Sequence, residues 1–234
     1  MARRLTLALL AAGVLVGLLA PSAAASFTVM PPTARYAGKA YGQWSAAWWQ
    51  WAANVSEPNS PVDDPTGKNC AVNQNGPVWF LAGTPGTSSP HCTVPAGKAI
   101  LVPVVNGECS TLEPPPAHGT NETELRACAV ALMDHVTDLG ASVDGVPVDL
   151  GPGGSRFRFQ SPLFAITFAP NNGFYPDGSV AGTGASVADG FWVLLRPLAA
   201  GQHEIDFHGT APFPEFGFTF QIDVHYHVTV SGQR

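Results

Sequence analysis

Three carboxylates have the type and neighbours to act on a bound substrate. Glu108 and Glu113 lie on either side of a short stretch that begins with Cys109, and Asp189 precedes Phe191-Trp192. Two carboxyl groups facing each other across a groove could hydrolyse a glycosidic bond, one as acid and one as base or nucleophile. Acids placed in loops are more often simply solvated, and Glu108 and Glu113 fall in a Pro-rich stretch, 107–120, that reads as a loop. A second set lies near the C-terminus. In 220–230, Ile222, Val224, Tyr226, Val228 and Val230 share one face of a strand, and Asp223, His225, His227 and Thr229 share the other. In 203–208 the apolar positions are Ile205 and Phe207, against polar Glu204, Asp206 and His208. Antiparallel pairing with the apolar faces aligned would collect Glu204, Asp206, His208, Asp223, His225 and His227 on one surface. Imidazole and carboxylate there could hold Zn²⁺ or a similar ion, or do acid–base chemistry near neutral pH. Alternation alone, with the polar face in water, accounts for the same pattern. His203 falls on the apolar side as a core or rim residue, and HEIDFH is not the H-E-x-x-H zinc motif.

For ligand contact the candidates are aromatic. Tyr175, in the loop NNGFYPDG, is placed to stack on a ligand. Four of the six tryptophans crowd into YGQWSAAWWQWAANV, residues 41–55. At about 100° per residue, Tyr41, Trp44, Trp48, Trp51 and Val55 form one stripe, expected to pack onto a sheet. Trp49 is on the flank and is the tryptophan expected to reach the surface and a ligand.

The elements that must position these residues are mostly strands. Short apolar runs such as GPVWFLAGT (76–84), VPAGKAILVPVVN (94–106), FWVLLRPL and FTFQIDVHYHVTV are separated by Gly- and Pro-rich turns. Pro103 places its strand at an edge or a bulge. RFRFQSPLFAITF gives two strands broken at Pro162, and SVDGVPVDL a hairpin around Asp144-Gly145. One helix covers the Trp block. A second starts at Asn121, with Glu124 as its capping partner, and runs through Leu125, Cys128, Leu132, Val136 and Leu139 to Gly140. About eight strands and two helices predict a mainly β chain: a mostly antiparallel, jelly-roll-like β-sandwich with a Trp-rich N-terminal helix and a short inserted helix.

Residues 1–25 read as a signal peptide, with Arg3-Arg4, an apolar run from Leu5 to Ala20 and a small-residue cleavage site at Ala23–Ala25. The mature chain then begins near Ser26, and 26–234 forms a single domain in a secreted, extracellular or periplasmic protein. Losing Arg3 and Arg4 takes the formal charge from −6 to −8. That charge disfavours nucleic acid and anionic membrane as partners. No later run is apolar for long enough to span a bilayer. Cys70, Cys92, Cys109 and Cys128 make an even count behind a signal peptide and read as two disulfides. Three pairings exist; Cys70–Cys92 and Cys109–Cys128 are favoured because each closes a short loop, stabilising by about 3 kcal/mol apiece. There is no G-x-S-x-G elbow, P-loop or dinucleotide fingerprint, and no cofactor is implied.

YGQWSAAWWQWA, GPVWFLAGT, CTVPAGKAILVPVVN and PLAAGQHEIDFHG together resemble a family of secreted bacterial proteins of unknown function. The resemblance implies secretion and a bacterial source and carries over no catalytic residue. The first expected function is an extracellular binding module for carbohydrate or cell-envelope material. The alternatives are a secreted hydrolase using carboxylates or a His/carboxylate metal site, and a structural or interaction protein of the cell exterior.

Overall fold

A computed structural model describes residues 27–232. The expected signal peptide lies outside them. In chain order the elements are α1 (Tyr41–Ala53), β1 (Val78–Phe80), β2 (Gly86–Ser88), β3 (His91–Pro95), β4 (Ala99–Ser110), α2 (Glu122–Asp134), β5 (Asp138–Val143), β6 (Val146–Pro147), β7 (Arg158–Gln160), β8 (Phe164–Phe168), β9 (Gly182–Leu195), β10 (Gly201–Phe213) and β11 (Phe218–Ser231).

Two sheets pack into a β-sandwich. The first runs β1-β4-β9-β7, with β8 also pairing along β9; the second runs β2-β11-β10-β5-β6, with β3 also pairing along β11. Most pairs are antiparallel, but β1 on β4 and both β2 and β3 on β11 are parallel. The sheets meet through Val102 and Val105 on one side and Ile205, Phe207, Ile222 and Val224 on the other, all buried. They approach so closely that a Cβ on Gly209 of β10 would overlap the side chain of Val105 on β4.

The alternation along β4 and β9 sorts the site residues. Cys109 and Gly107 point towards α2, where Cys109 is bonded to Cys128 and Met133 crosses Gly107. Asp189, paired with Gly107, shares that face. Asn106, Glu108 and Ser110, with Ser186 and Ala188 opposite, therefore look the other way, towards α1. On that side Trp192 meets Trp48 edge-to-face with ring centroids 5.5 Å apart.

The disulfides are Cys70–Cys92 and Cys109–Cys128, with Cα separations of 5.9 and 6.1 Å. Pro103 sits at a register shift in β4, so it marks a bulge. Asp144 and Gly145, both at positive φ, turn the β5–β6 hairpin. Asn121 caps α2 by accepting from the Glu124 N–H at 3.1 Å.

Three expectations need correction. α2 stops at Asp134, and 138–143 is a strand on β10. Leu139, Ala141 and Val143 also repeat every second residue, and the open edge of β10 selects that period. β4 runs on to Ser110, so Glu108 lies in a central strand and not a loop. The polar alternation Asn106, Glu108, Ser110 is strand behaviour that the Pro-rich sequence beyond it disguises. Eleven strands form among the described residues, because β2 and β3 lie in the Pro-, Ser- and Thr-rich stretch after Phe80, where no apolar run marks them.

Candidate functional site

Helix α1 divides its tryptophans by what their indole N–H groups meet. Trp44 donates to the Tyr36 carbonyl at 3.2 Å, Trp48 to Leu81 at 2.6 Å and Trp51 to Val72 at 2.8 Å. These three are bolts between the helix and surrounding backbone. Tyr41 does the same, donating to the Met30 carbonyl at 2.7 Å and accepting from the Leu194 N–H at 3.2 Å. Trp49 differs. It is only 6% exposed, so its expected place at the surface is corrected: Phe174 and Trp48 cover its ring at 5.0 and 5.1 Å. Its Nε1 has no hydrogen-bond partner.

Trp48 and Trp49 form one wall of a partly open cavity of about 310 Å³. The bulge of β4 supplies Pro103, Val105 and Asn106; β11 supplies Phe220 and Ile222; the 170–181 loop supplies Gly173 and Phe174. Val62, Gly83 and Pro85 complete it. Asn106 is the one lining side chain with an amide or charge. Glycine is required at 173, where a Cβ would overlap the Ser60 side chain. Asn172, fully buried, fastens this loop: its amide donates to the Ala169 and Val180 carbonyls, and its Oδ1 accepts from the N–H groups of Phe174 and Tyr175.

Two residues along the same face of β4 from Asn106, Glu108 is 4% exposed, and Glu113 is 7% exposed. The structure thus brings these two predicted carboxylates together. Ser186 donates to Glu108 Oε2, and Tyr175 donates to Glu113 Oε1 at 2.7 Å. The remaining oxygens, Glu108 Oε1 and Glu113 Oε2, have no other partner and are sealed from solvent. Burial, and then the hydrogen bond and negative charge of Glu113, hold the Glu108 carboxyl well above the usual carboxylate range. A proton on Glu108 is thus favoured, and Glu113 is the neighbouring acceptor. Burial, then contact with Glu113, likewise pushes the Tyr175 phenol upward. A carboxyl pair in mutual hydrogen-bonding contact is closer than the about 5 Å that a glycosidase needs around its substrate. The arrangement can store a proton and pin two loops; it offers a sugar no reacting position.

Asp189 is not part of this pair. It lies on the opposite face, 3% exposed, bound to Arg158 at 3.0 Å and to the Gly190 N–H at 2.7 Å. Arg158 continues to Asp134 on α2 at 2.7 Å, so this is a strut between helix and sheet.

The β10–β11 register is the one required to gather the polar residues: Glu204 opposes His227, Asp206 opposes His225 and His208 opposes Asp223. His225 lies between Asp206 at 2.9 Å and Asp223 at 3.4 Å, which uses both ring nitrogens. The Asp206 hydrogen bond, with both negative charges, raises the imidazole pKa. His227 stacks on His91 at 4.6 Å and meets Ser89 Oγ at 3.1 Å, while Glu204 is exposed. Among the described residues no group of three or more His, Cys, Asp or Glu is disposed to hold one metal ion. His203 is buried, between Asp144 at 2.8 Å and the Ala199 carbonyl at 3.0 Å.

Sequence reasoning missed Ser186, Asn106, Phe174 and Phe220. The first two were legible in principle as the polar period-two face of β4 and β9; the last two are contributed by a loop and a strand end, where no periodicity marks them. No protein-family model, curated protein or solved structure matches the chain.

Proposed function

We propose that this chain is an extracellular binding module that takes an apolar group of cell-envelope material into the cavity between α1, the β4 bulge and the Phe174 loop. The carrying observation is the lining: about 310 Å³ walled by Trp48, Trp49, Phe174, Phe220 and aliphatic side chains, with Asn106 as the polar contact. Ligand sites are typically apolar concavities with a few placed polar groups, and this volume is at the small end of their range. A bare sugar carries a hydroxyl on nearly every carbon and would leave most of them unpaired here, so an acyl or other apolar group fits better than a glycan. Secretion is part of the same proposal, supported by the two disulfides and the expected signal peptide. So is membership of the secreted bacterial family suggested by the Trp block. Among the described residues no helix is long and apolar enough to cross a membrane.

Native mass spectrometry of the oxidised mature protein, after incubation with envelope lipid extract or with soluble polysaccharides, tests this reading. The expected result is a stoichiometric adduct from the lipid extract. Adducts only from polysaccharide would return the proposal to a carbohydrate module, and none from either would favour a structural protein of the cell exterior.

A further inference from the structure

We propose that Glu108 and Glu113 form a proton-bridged latch that holds the Phe174 wall of the cavity closed and releases it when the shared proton leaves. This rests on the binding reading only for its consequence; the latch itself stands on its own contacts. Phe174, which lines the cavity, is joined directly to Tyr175, and the Tyr175 hydroxyl is bonded to Glu113. Glu113 is fixed from behind, its N–H reaching Ser110 Oγ at 3.3 Å on the end of β4. Glu108 stands on the same strand, anchored by Ser186 of β9. A proton carried between Glu108 Oε1 and Glu113 Oε2, the two sealed oxygens with no other partner, would join the sheet, the 111–120 loop and the 170–181 loop.

Among the described residues no Lys or Arg is hydrogen-bonded or ion-paired to Glu108 or Glu113. From β9, the side chains on this face are Ser186 and Ala188; its acid, Asp189, points the other way and is paired with Arg158. Helix α1 carries no charged residue. From the 111–120 loop the other titratable group is His118, which bridges Ser110 through its backbone, has its Nδ1 buried without a partner, and acts on Glu124. The 170–181 loop adds Tyr175 and the exposed Asp177, which is engaged with Ser179. Glu57, beside Asn171, interacts instead with Asp63, Asp64 and Lys68. Loss of the proton therefore leaves two adjacent buried carboxylates with no cation, and like charges in that setting repel strongly. The least costly relief is for Glu113 and Tyr175 to swing outward into water, carrying Phe174 with them.

The test is hydrogen exchange of the full chain in peptides covering 171–176, corrected for the intrinsic pH dependence of amide exchange, from about pH 5 to about pH 9. The same series is run on Glu108→Gln, whose amide donates to Glu113 without titrating, and on Tyr175→Phe, which cuts the pin. The wild type should exchange about tenfold faster at the alkaline end, Glu108→Gln should stay slow throughout, and Tyr175→Phe should be fast throughout. A flat wild-type profile, or a Glu108→Gln profile that follows the wild type, overturns the latch. So does protection that requires added Ca²⁺ and disappears in EDTA, because the pair would then hold a cation. Should Glu108→Gln fail to fold, Glu113→Gln serves as the reciprocal donor and must be equally flat. In parallel, uncharged N-phenyl-1-naphthylamine is titrated into the wild type at each pH. Failure of the probe at every pH speaks against the binding reading and leaves the exchange result to judge the latch.

Discussion

Tyr175 reaches across 62 residues of sequence to donate a 2.7 Å hydrogen bond to Glu113. That bond ties the wall of the cavity to a buried acid, so its loss is felt in stability as well as in loop motion. Tyr175→Phe is expected to cost about 1–3 kcal/mol, the range for removing one partner from a buried carboxyl group. Urea unfolding at acidic pH, where the latch is closed, checks this; an unchanged midpoint would mean that the bond contributes nothing net.

Trp48 and Trp49 are neighbours with opposite obligations. Trp48→Phe strips the Leu81 carbonyl of its indole donor and should destabilise by about 1–3 kcal/mol. Trp49→Phe removes an N–H that has no partner and keeps an aromatic ring against Phe174, so it should be near neutral. Thermal unfolding of the pair distinguishes them, and equal losses would show that ring size outweighs the hydrogen bond.

Arg158 joins Asp189 in β9 to Asp134 in α2. Arg158→Ala leaves Asp189 buried and uncompensated, and a loss of about 3 kcal/mol is expected. The double variant Arg158→Ala/Asp189→Asn should recover part of it, as measured by denaturant midpoint.

His225 lies between Asp206 and Asp223, and the Asp206 hydrogen bond, with the charge of both carboxylates, raises its pKa above the free imidazole value. The sign follows from linkage: the contribution is fully present below the unfolded pKa of about 6.5 and is lost as pH rises through the raised folded value. Asp206→Asn should lower the His225 pKa, read from its ring protons by NMR titration. No shift would mean that water, and not Asp206, sets its protonation.

The alternation in Ile222–Val230 and Ile205–Phe207 shows which residues of β10 and β11 share a face, while the register that sets Asp206 opposite His225 is fixed only by the folded pair. The Trp44, Trp48, Trp51 stripe is legible in the same way. The sequence shows Glu108 and Glu113 as neighbours but not that Glu108 is in a strand, because a buried acid breaks the hydrophobic pattern by which a strand is recognised. A helical wheel shows which side of α1 Trp49 occupies but not that Phe174, 125 residues later, returns to cover it. The cavity was out of reach, since its lining comes from six separate stretches that only the folded chain assembles.

The most direct test of the binding account is titration of N-phenyl-1-naphthylamine into the wild-type protein and Val62→Phe at acidic pH, following tryptophan emission. Val62 lines the cavity, and the added ring should fill it. The account predicts saturable single-site binding that quenches Trp48 and Trp49 in the wild type, and loss of binding in a Val62→Phe protein whose unfolding midpoint confirms that it is folded. Equal binding by both proteins, or none by the wild type, would contradict it.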